Sequence, residues 1–504
     1  MKKQILHFIF CMVLLCQSKA TVWQVGPTRT YTLPSEVSLL VQDGDTIYID
    51  AGVYSNDAVK WVNKDLKFIG LGTAIDPTVL QYIGDIPNGK GIFVFETPGT
   101  CDNPYLENIV FDGAQVSDAN GGNGAGIRFQ ANNITVNNCK FMNCQNGILE
   151  GNGSVSTSNV EIMNSEFYNN GYQLQNDPTY SGYEHHIYIG ASTDTLMVTN
   201  NWFHHPRGQA NSIKTRAQRS FILYNLIDEE ATGYGSWEIN IAQGGLNIIM
   251  GNVIIQGTSG ANHGIVGYDA VTNLLEDFYF VNNTVVNKFA GNVRYFNIVP
   301  SSGISTFKIY NNIFASDANA AIVVFATNVP ATIDTSQNHF NNNYLTFPFT
   351  NASLDDYTLT SLATAAINRG SVAGVTNTGF SLVPVSMYQS FNSALLPRVI
   401  IGAAIDRGAY EYSATTSILE NEPQSDIVIY PNPSTGKIHL IISDSNAKAT
   451  HLEVFNSIGE RVYFMTMTSN QRHFEMNLSG LSRGVYFMKT HSENGVGNRR
   501  IVLQ

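Results

Sequence analysis

The chain has 504 residues, 13% of them charged and 43% hydrophobic, with 43 glycines and a formal net charge of −12. That composition excludes a disordered polyelectrolyte, and the negative sign excludes a nucleic-acid binder that works by general attraction to phosphate. The length calls for two to four domains, or for one long domain with an appendage.

Residues 1–20 read as an export signal. Lys2 and Lys3 precede an apolar run from Ile5 to Leu15, and Ser18 and Ala20 are the small residues around a cut. A lipid-modified Cys16 is the weaker reading, because Leu15 is large where such sites prefer a small side chain. No later stretch of 18 apolar residues exists, so no membrane-spanning helix is expected. Cys11 and Cys16 leave with the signal, and Cys101, Cys139 and Cys144 remain. Their odd number gives no disulfide framework. They are expected as core fillers, with a Cys139–Cys144 bridge left open.

The segment around Ser35 to Val41 is amphipathic and suits a plug for the end of a repeat. A repeat follows it. Short apolar strands carrying asparagines end at Phe141, Phe167, Phe203, Val286 and Phe314. Anchored on Asn138, Asn164, Asn200, Asn225, Asn252, Asn283 and Asn311, the steps are 26, 36, 25, 27, 31 and 28 residues. Periods of that size mean stacked units, and the β-branched and aromatic content makes the units strands. The predicted fold is all-β: a parallel β-helix over 21–413 with an N-terminal cap, a polar linker at 414–426, and a small β-sandwich-like domain at 427–504.

Four strands align on Ile187, Ile213, Ile239 and Ile265 at equal steps of 26. Alternation from these isoleucines predicts an outward set of His186, Tyr188, Ser212, Lys214, Arg216, Glu238, Asn240 and Tyr268, with Arg128 and Glu150 extending it. Lys214 and Arg216 side by side on an acidic protein call for an anion. β-Elimination in a uronate polymer uses such a set: Arg216 neutralises the carboxylate, Lys214 takes the C5 proton, and Tyr188 or His186 protonates the departing oxygen. Glu238, Asn240, Tyr268 and Arg128 are the expected substrate-binding residues, Glu238 as partner to Arg216. His185, His204, His205 and His263 are read as structural or solvated. The acidic run Asp228, Glu229 and Glu230 is the candidate Ca²⁺ set, but it lies more than half a rung from Ile213 and reads as a solvated turn. No cofactor is otherwise required.

The motif IVIYPNPSTGKIHL, Ile427 to Leu440, with GLSRGVYFMKT and the terminal RRIVLQ, resembles the C-terminal sorting domain of the type IX secretion system of Bacteroidota. Residues 21–412 resemble right-handed parallel β-helix proteins of the pectate-lyase-like superfamily, which includes many polysaccharide lyases. The first resemblance implies export across the outer membrane, with the type IX machinery as a partner, followed by release or surface attachment. The second is fold-level, assigns no substrate, and strengthens a lysine and an arginine as catalytic groups. The expectation is a monomeric secreted lyase acting on an acidic polysaccharide. The alternatives are a glycoside hydrolase, built on Glu238 with Glu150 or Asp269, a glycan-binding solenoid without catalysis, and a uronate epimerase.

Overall fold

The computed structural model describes residues 20–96, 100–151, 158–171, 182–390, 393–413, 427–430, 434–442, 449–456, 461–466, 473–492 and 495–503. The expected signal segment, apart from Ala20, and the expected linker lie outside the described residues. The chain forms two compact units, 1–413 and 414–504.

In the first unit every rung supplies one strand to each of three parallel sheets, which hold ten, twelve and eleven strands. This is a parallel β-helix. The ten-stranded sheet contains seven consecutive rungs that matter below: β1 (Ala125–Gln130), β2 (Asn146–Glu150), β3 (Ile187–Ile189), β4 (Ile213–Thr215), β5 (Trp237–Ile241), β6 (Gly264–Tyr268) and β7 (Asn292–Ile298). Inward side chains stack from rung to rung. Phe111, Phe141, Phe167 and Phe203 lie nearly parallel, with centroids 5.0, 4.9 and 4.7 Å apart. Each is fully buried, so truncating one removes roughly 3–5 kcal/mol of packing.

Asparagines hold the turns in two adjacent columns that the sequence period merges into one. Asn138, Asn164, Asn200 and Asn311 belong to an outer column in the left-handed region, with φ of 50, 53, 58 and 58°. Asn225, Asn252 and Asn283 belong to a buried ladder. There the side-chain oxygen of each accepts the backbone N–H of the asparagine one rung before: Asn201 to Asn225 at 2.9 Å, Asn225 to Asn252 at 2.8 Å, Asn252 to Asn283 at 3.0 Å and Asn283 to Asn312 at 2.7 Å. An asparagine suits both columns because it tolerates positive φ and carries a donor and an acceptor.

A 3₁₀ turn, Pro34–Val37, places Val37 in the core cluster with Val41 beside the first strands. At the other end, residues 344–412 fold back over the solenoid. Phe347, Phe349, Tyr357 and Leu359 cover Val253, Val286 and Ile313 on the outer face of the eleven-stranded sheet. Ala373 and Leu382 cover Ile248 and Tyr279 on the twelve-stranded one. The outer face of the ten-stranded sheet has no such hydrophobic cover among the described residues. Cys101, Cys139 and Cys144 are buried thiols with no disulfide among them, so the Cys139–Cys144 bridge does not form.

The second unit packs a three-stranded antiparallel sheet (Ile427–Tyr430, Lys437–Ile442, His473–Asn477) against a four-stranded one (Ala449–Phe455, Arg461–Thr466, Gly484–Ser492, Gly495–Leu503). Ile438, Leu440 and Met476 from the first meet Leu452, Val454 and Met488 from the second in one core.

Candidate functional site

Register decides which side chains reach the open face. Ile127, Ile148, Ile187, Ile213, Ile239, Val266 and Phe296 pair in sequence from β1 to β7 and point inward. One position further, Arg128, Leu149, Tyr188, Lys214, Asn240, Gly267 and Asn297 form an outward column. On the other side of the inward row the chain bends, and two consecutive residues face the interior. His186, Glu238, Ile265 and Tyr295 are therefore buried beside Ile187, Ile239, Val266 and Phe296. The next column is His185, Asn211, Trp237, Gly264 and Arg294, of which His185 and Asn211 are buried and Trp237 and Arg294 reach solvent.

Three expected site residues are thus displaced from the face. His186 lies inside, with its ring 6.4 Å from Phe167 and 6.2 Å from Phe203, and with Nδ1 3.0 Å from the Asn170 amide. Burial drives its imidazole to the neutral form. Glu238 is 3% exposed and accepts a hydrogen bond from Ser212 at 3.3 Å. Burial first, then the nearby Glu229 and Asp228, push its carboxyl well up, and no ion pair joins it to Arg216 among the described residues. Tyr268 is fully buried and donates to Glu276 at 2.8 Å. Its displacement is a register effect. Ile239 pairs with Val266 and not with Ile265, and a one-residue slip exchanges the two faces of a strand.

Tyr188, Lys214 and Arg216 do meet, whereas Ser212 is buried and Asn240, though in the outward register, is only 3% exposed. Tyr188 stands between two cations, with Lys214 Nζ 5.1 Å and Arg216 Cζ 5.4 Å from its ring centroid. Neither cation forms an ion pair with a carboxylate among the described residues. Elsewhere on the solenoid pairing is common: Lys60 with Glu96 at 2.6 Å, Lys140 with Glu166 at 2.8 Å, Lys288 with Asp355 at 2.6 Å and buried Arg398 with Glu411 at 3.1 Å. Burial, and then Arg216, lower the Lys214 ammonium below its ordinary range, against a weaker pull from Asp269. Burial raises the Tyr188 phenol, so its hydroxyl keeps its proton at neutral pH. Asn240 donates to Asp269 at 2.9 Å. Arg128 is half-buried two rungs away, with Glu150 as its main electrostatic partner. Glu150 is itself held by Gly190 N–H at 2.7 Å and by the Ser192 hydroxyl at 2.5 Å.

His185 and Trp237 lie beside this cluster without having been singled out for it, and Asp269, weighed only as a carboxylate partner of Glu238, lies there too. His185 meets Tyr188 edge-on at 5.5 Å and accepts the Asn211 N–H at Nδ1, 3.1 Å away. Burial and then Lys214 hold it neutral. The spacing 185, 211, 237 repeats the 26-residue period, so a column was visible in the sequence, but the bend that turns it outward was not.

The acidic run is not a solvated turn. Glu229 is 1% exposed and accepts Gly235 N–H at 2.8 Å and Gly257 N–H at 3.0 Å. Glu230 bonds His204 and His205 at 2.7 and 3.0 Å. On the cationic face, Glu150 and Asp269 are likewise engaged by protein donors and stand near Arg128 and Lys214. That donor set does not fit Ca²⁺, which takes six to eight oxygens. A larger recess, about 1010 Å³ and lined by Val79, Asp112, Lys140 and Glu166, lies on the eleven-stranded sheet. Its charges are satisfied internally, with Lys140 on Glu166 and Asp112 on Gln81 at 2.8 Å each.

No curated protein matches the chain. Among solved structures the chain is similar to pectate lyase Pel9A, at 15% identity and a TM-score of 0.40, over 79% of this chain and 97% of that one. It is also similar to the pectin methylesterase from Aspergillus niger, at 12% identity and a TM-score of 0.29, over 62% and 87%. Among the described residues no helix is long and apolar enough to cross a membrane. Residues 428–504 match the secretion system C-terminal sorting domain. The chain therefore carries a type IX sorting tail of that family and is exported, to the cell surface or beyond it.

Proposed function

We propose that the solenoid is a polysaccharide lyase that cleaves an anionic, uronate-containing glycan by β-elimination. The observation that carries this reading is the pair of cations, Lys214 and Arg216, beside the Tyr188 ring, neither in an ion pair among the described residues. A uronate carboxylate supplies the anion they lack, with Arg216 holding it through two parallel hydrogen bonds. Withdrawal of charge into Arg216 acidifies C5, and the lowered Lys214 amine takes the C5 proton. The electron pair left at C5 forms the C4–C5 double bond as the C4–O bond breaks. The departing oxygen takes the Tyr188 hydroxyl proton, and Lys214 returns a proton to the phenolate directly or through water. Arg128 and Asp269 line the same face for neighbouring sugars, with buried Asn240 holding Asp269.

Hydrolysis needs two carboxylates facing the scissile bond, and the burial of Glu238 counts against it. Residues 1–20 fit this reading as the first export signal, and 414–426 as the tether to the sorting tail. The test is ultraviolet absorbance during incubation with pectate, alginate, hyaluronan, chondroitin and dermatan. An unsaturated uronate is expected on one of them, and Lys214→Ala abolishes it while weakening, without abolishing, binding of the charged glycan. Saturated products would mean hydrolysis. Binding without products, indifferent to Lys214 and Arg216, would mean a glycan-binding solenoid.

A further inference from the structure

We propose that Trp237 is a sugar-stacking platform, laid on two glycines beside the cationic pair, which holds a pyranose by its apolar face whatever that sugar's charge. This rests on the ligand being a glycan but not on the elimination step. Both outward positions of β6 are glycine, Gly264 and Gly267, whereas β5 presents Trp237 and Asn240 there and β7 presents Arg294 and Asn297. The Trp237 indole fills the slot so created. A Cβ on Gly264 would lie 1.9 Å from Cζ3, 2.3 Å from Cε3 and 2.8 Å from Cη2, so the Cζ3 edge of the indole overlies that position. A Cβ on Gly267 would lie 3.2 Å from Cδ2 and Cε2. The indole therefore reaches across both glycine positions, and any larger residue at Gly264 displaces it.

Trp237 remains partly exposed although its inner face is covered. A partly exposed indole among polar side chains suits the C–H face of a sugar ring. Its surroundings point the same way. The Asn240 amide stands 3.0 Å from the same Gly267 position. Asn240 in turn pairs with Lys214 across the rungs. Arg294 is exposed on the far side. Rungs are about 4.8 Å apart, roughly one pyranose, so a chain running along the solenoid axis with one uronate at Lys214 puts a neighbouring sugar on the indole.

The experiment titrates the full chain with three tetramers: 4-linked galacturonate, its fully methyl-esterified form, and alginate. Tryptophan fluorescence and calorimetry give the affinities. Trp237→Ala is expected to weaken binding about ten-fold for the galacturonate and esterified tetramers alike, and Trp237→Phe about two- to three-fold. Gly264→Ala keeps the tryptophan and the strand but lifts the ring, and it too weakens both. Lys214→Ala weakens the two charged tetramers and not the esterified one. Binding of no tetramer, or binding by Trp237→Ala and Gly264→Ala equal to the parent, overturns the platform. The two readings fail separately: unsaturated product with Trp237-independent binding removes the platform alone, and Trp237-dependent binding with no unsaturated product removes the elimination alone.

Discussion

The buried asparagine ladder gives the sharpest quantitative expectation. Asn225, Asn252 and Asn283 are fully buried. The Asn252 side chain accepts the Asn225 N–H at 2.8 Å and the Asn225 amide at 3.0 Å, and it donates to the Ile222 carbonyl at 2.8 Å and to Asn283 at 3.0 Å. Asn252→Ala removes all four bonds. The Asn225 amide keeps other partners, the Val198 and Leu223 carbonyls at 2.9 and 3.1 Å, but the Asn225 N–H is left buried and unpaired. An orphaned buried donor costs about 1–3 kcal/mol and each further lost bond about 0.5–1.5 kcal/mol, so the loss is roughly 3–6 kcal/mol. Urea unfolding of the full chain, followed by far-ultraviolet circular dichroism, measures it against exposed Asn319→Ala as the control. Asn252→Asp keeps the acceptor and loses the donor until its carboxyl is protonated. Its cost therefore shrinks as pH falls, the sign for a buried acid with a raised folded-state pKa. A loss for Asn252→Ala within about 0.5 kcal/mol of the control would refute the ladder as a source of stability.

Other expectations concern single groups. His204 lies between Glu166 at 3.1 Å and Glu230 at 2.7 Å; burial works against its charge, yet these bonds raise it above its ordinary range. Its contribution to stability is full below about pH 6.5 and is lost as pH rises through the folded-state value. The melting-temperature gap between parent and His204→Gln should thus close on the alkaline side, and a pH-independent gap would refute the assignment. Glu238→Gln should keep turnover and raise the melting temperature more at pH 8 than at pH 5, because burial has lifted the carboxyl it replaces; loss of turnover would restore the hydrolase. Arg216→Met removes a cause of the lowered Lys214 amine, so the pH at which residual elimination rises should move upward, and an unmoved profile would remove Lys214 as the base. Deleting residues 428–504 should leave the protein inside the cell envelope, as immunoblots of culture medium and surface fractions would show.

Much of the fold was legible because a solenoid repeats its physics. Each rung has to bury an inward row and satisfy its turns, so the same residue types recur at a nearly fixed spacing. The period was visible in VNNCKF and VTNNWF before any strand was placed. Two neighbouring asparagines in most of these turns blurred the phase by one residue. Asn200 and Asn201 do different work, the first at positive φ and the second in the buried ladder, and no spacing argument distinguishes them.

The site was legible only where strict alternation holds. Tyr188, Lys214 and Asn240 lie on the regular side of the inward isoleucines, and the two-residue period places them correctly. On the other side the bend sends His186 and Glu238 inward and leaves His185 and Trp237 outward, so alternation carried across it selects the wrong neighbour each time. The equal 26-residue steps hid the second fault, because they continue to Ile265 although the loop before β6 holds one more residue and β6 pairs from Val266. A period shows that rungs stack. The hydrogen-bonded register alone says which face each side chain takes, and here a single residue of register separates a tyrosine buried on Glu276 from one on the outer face of the sheet.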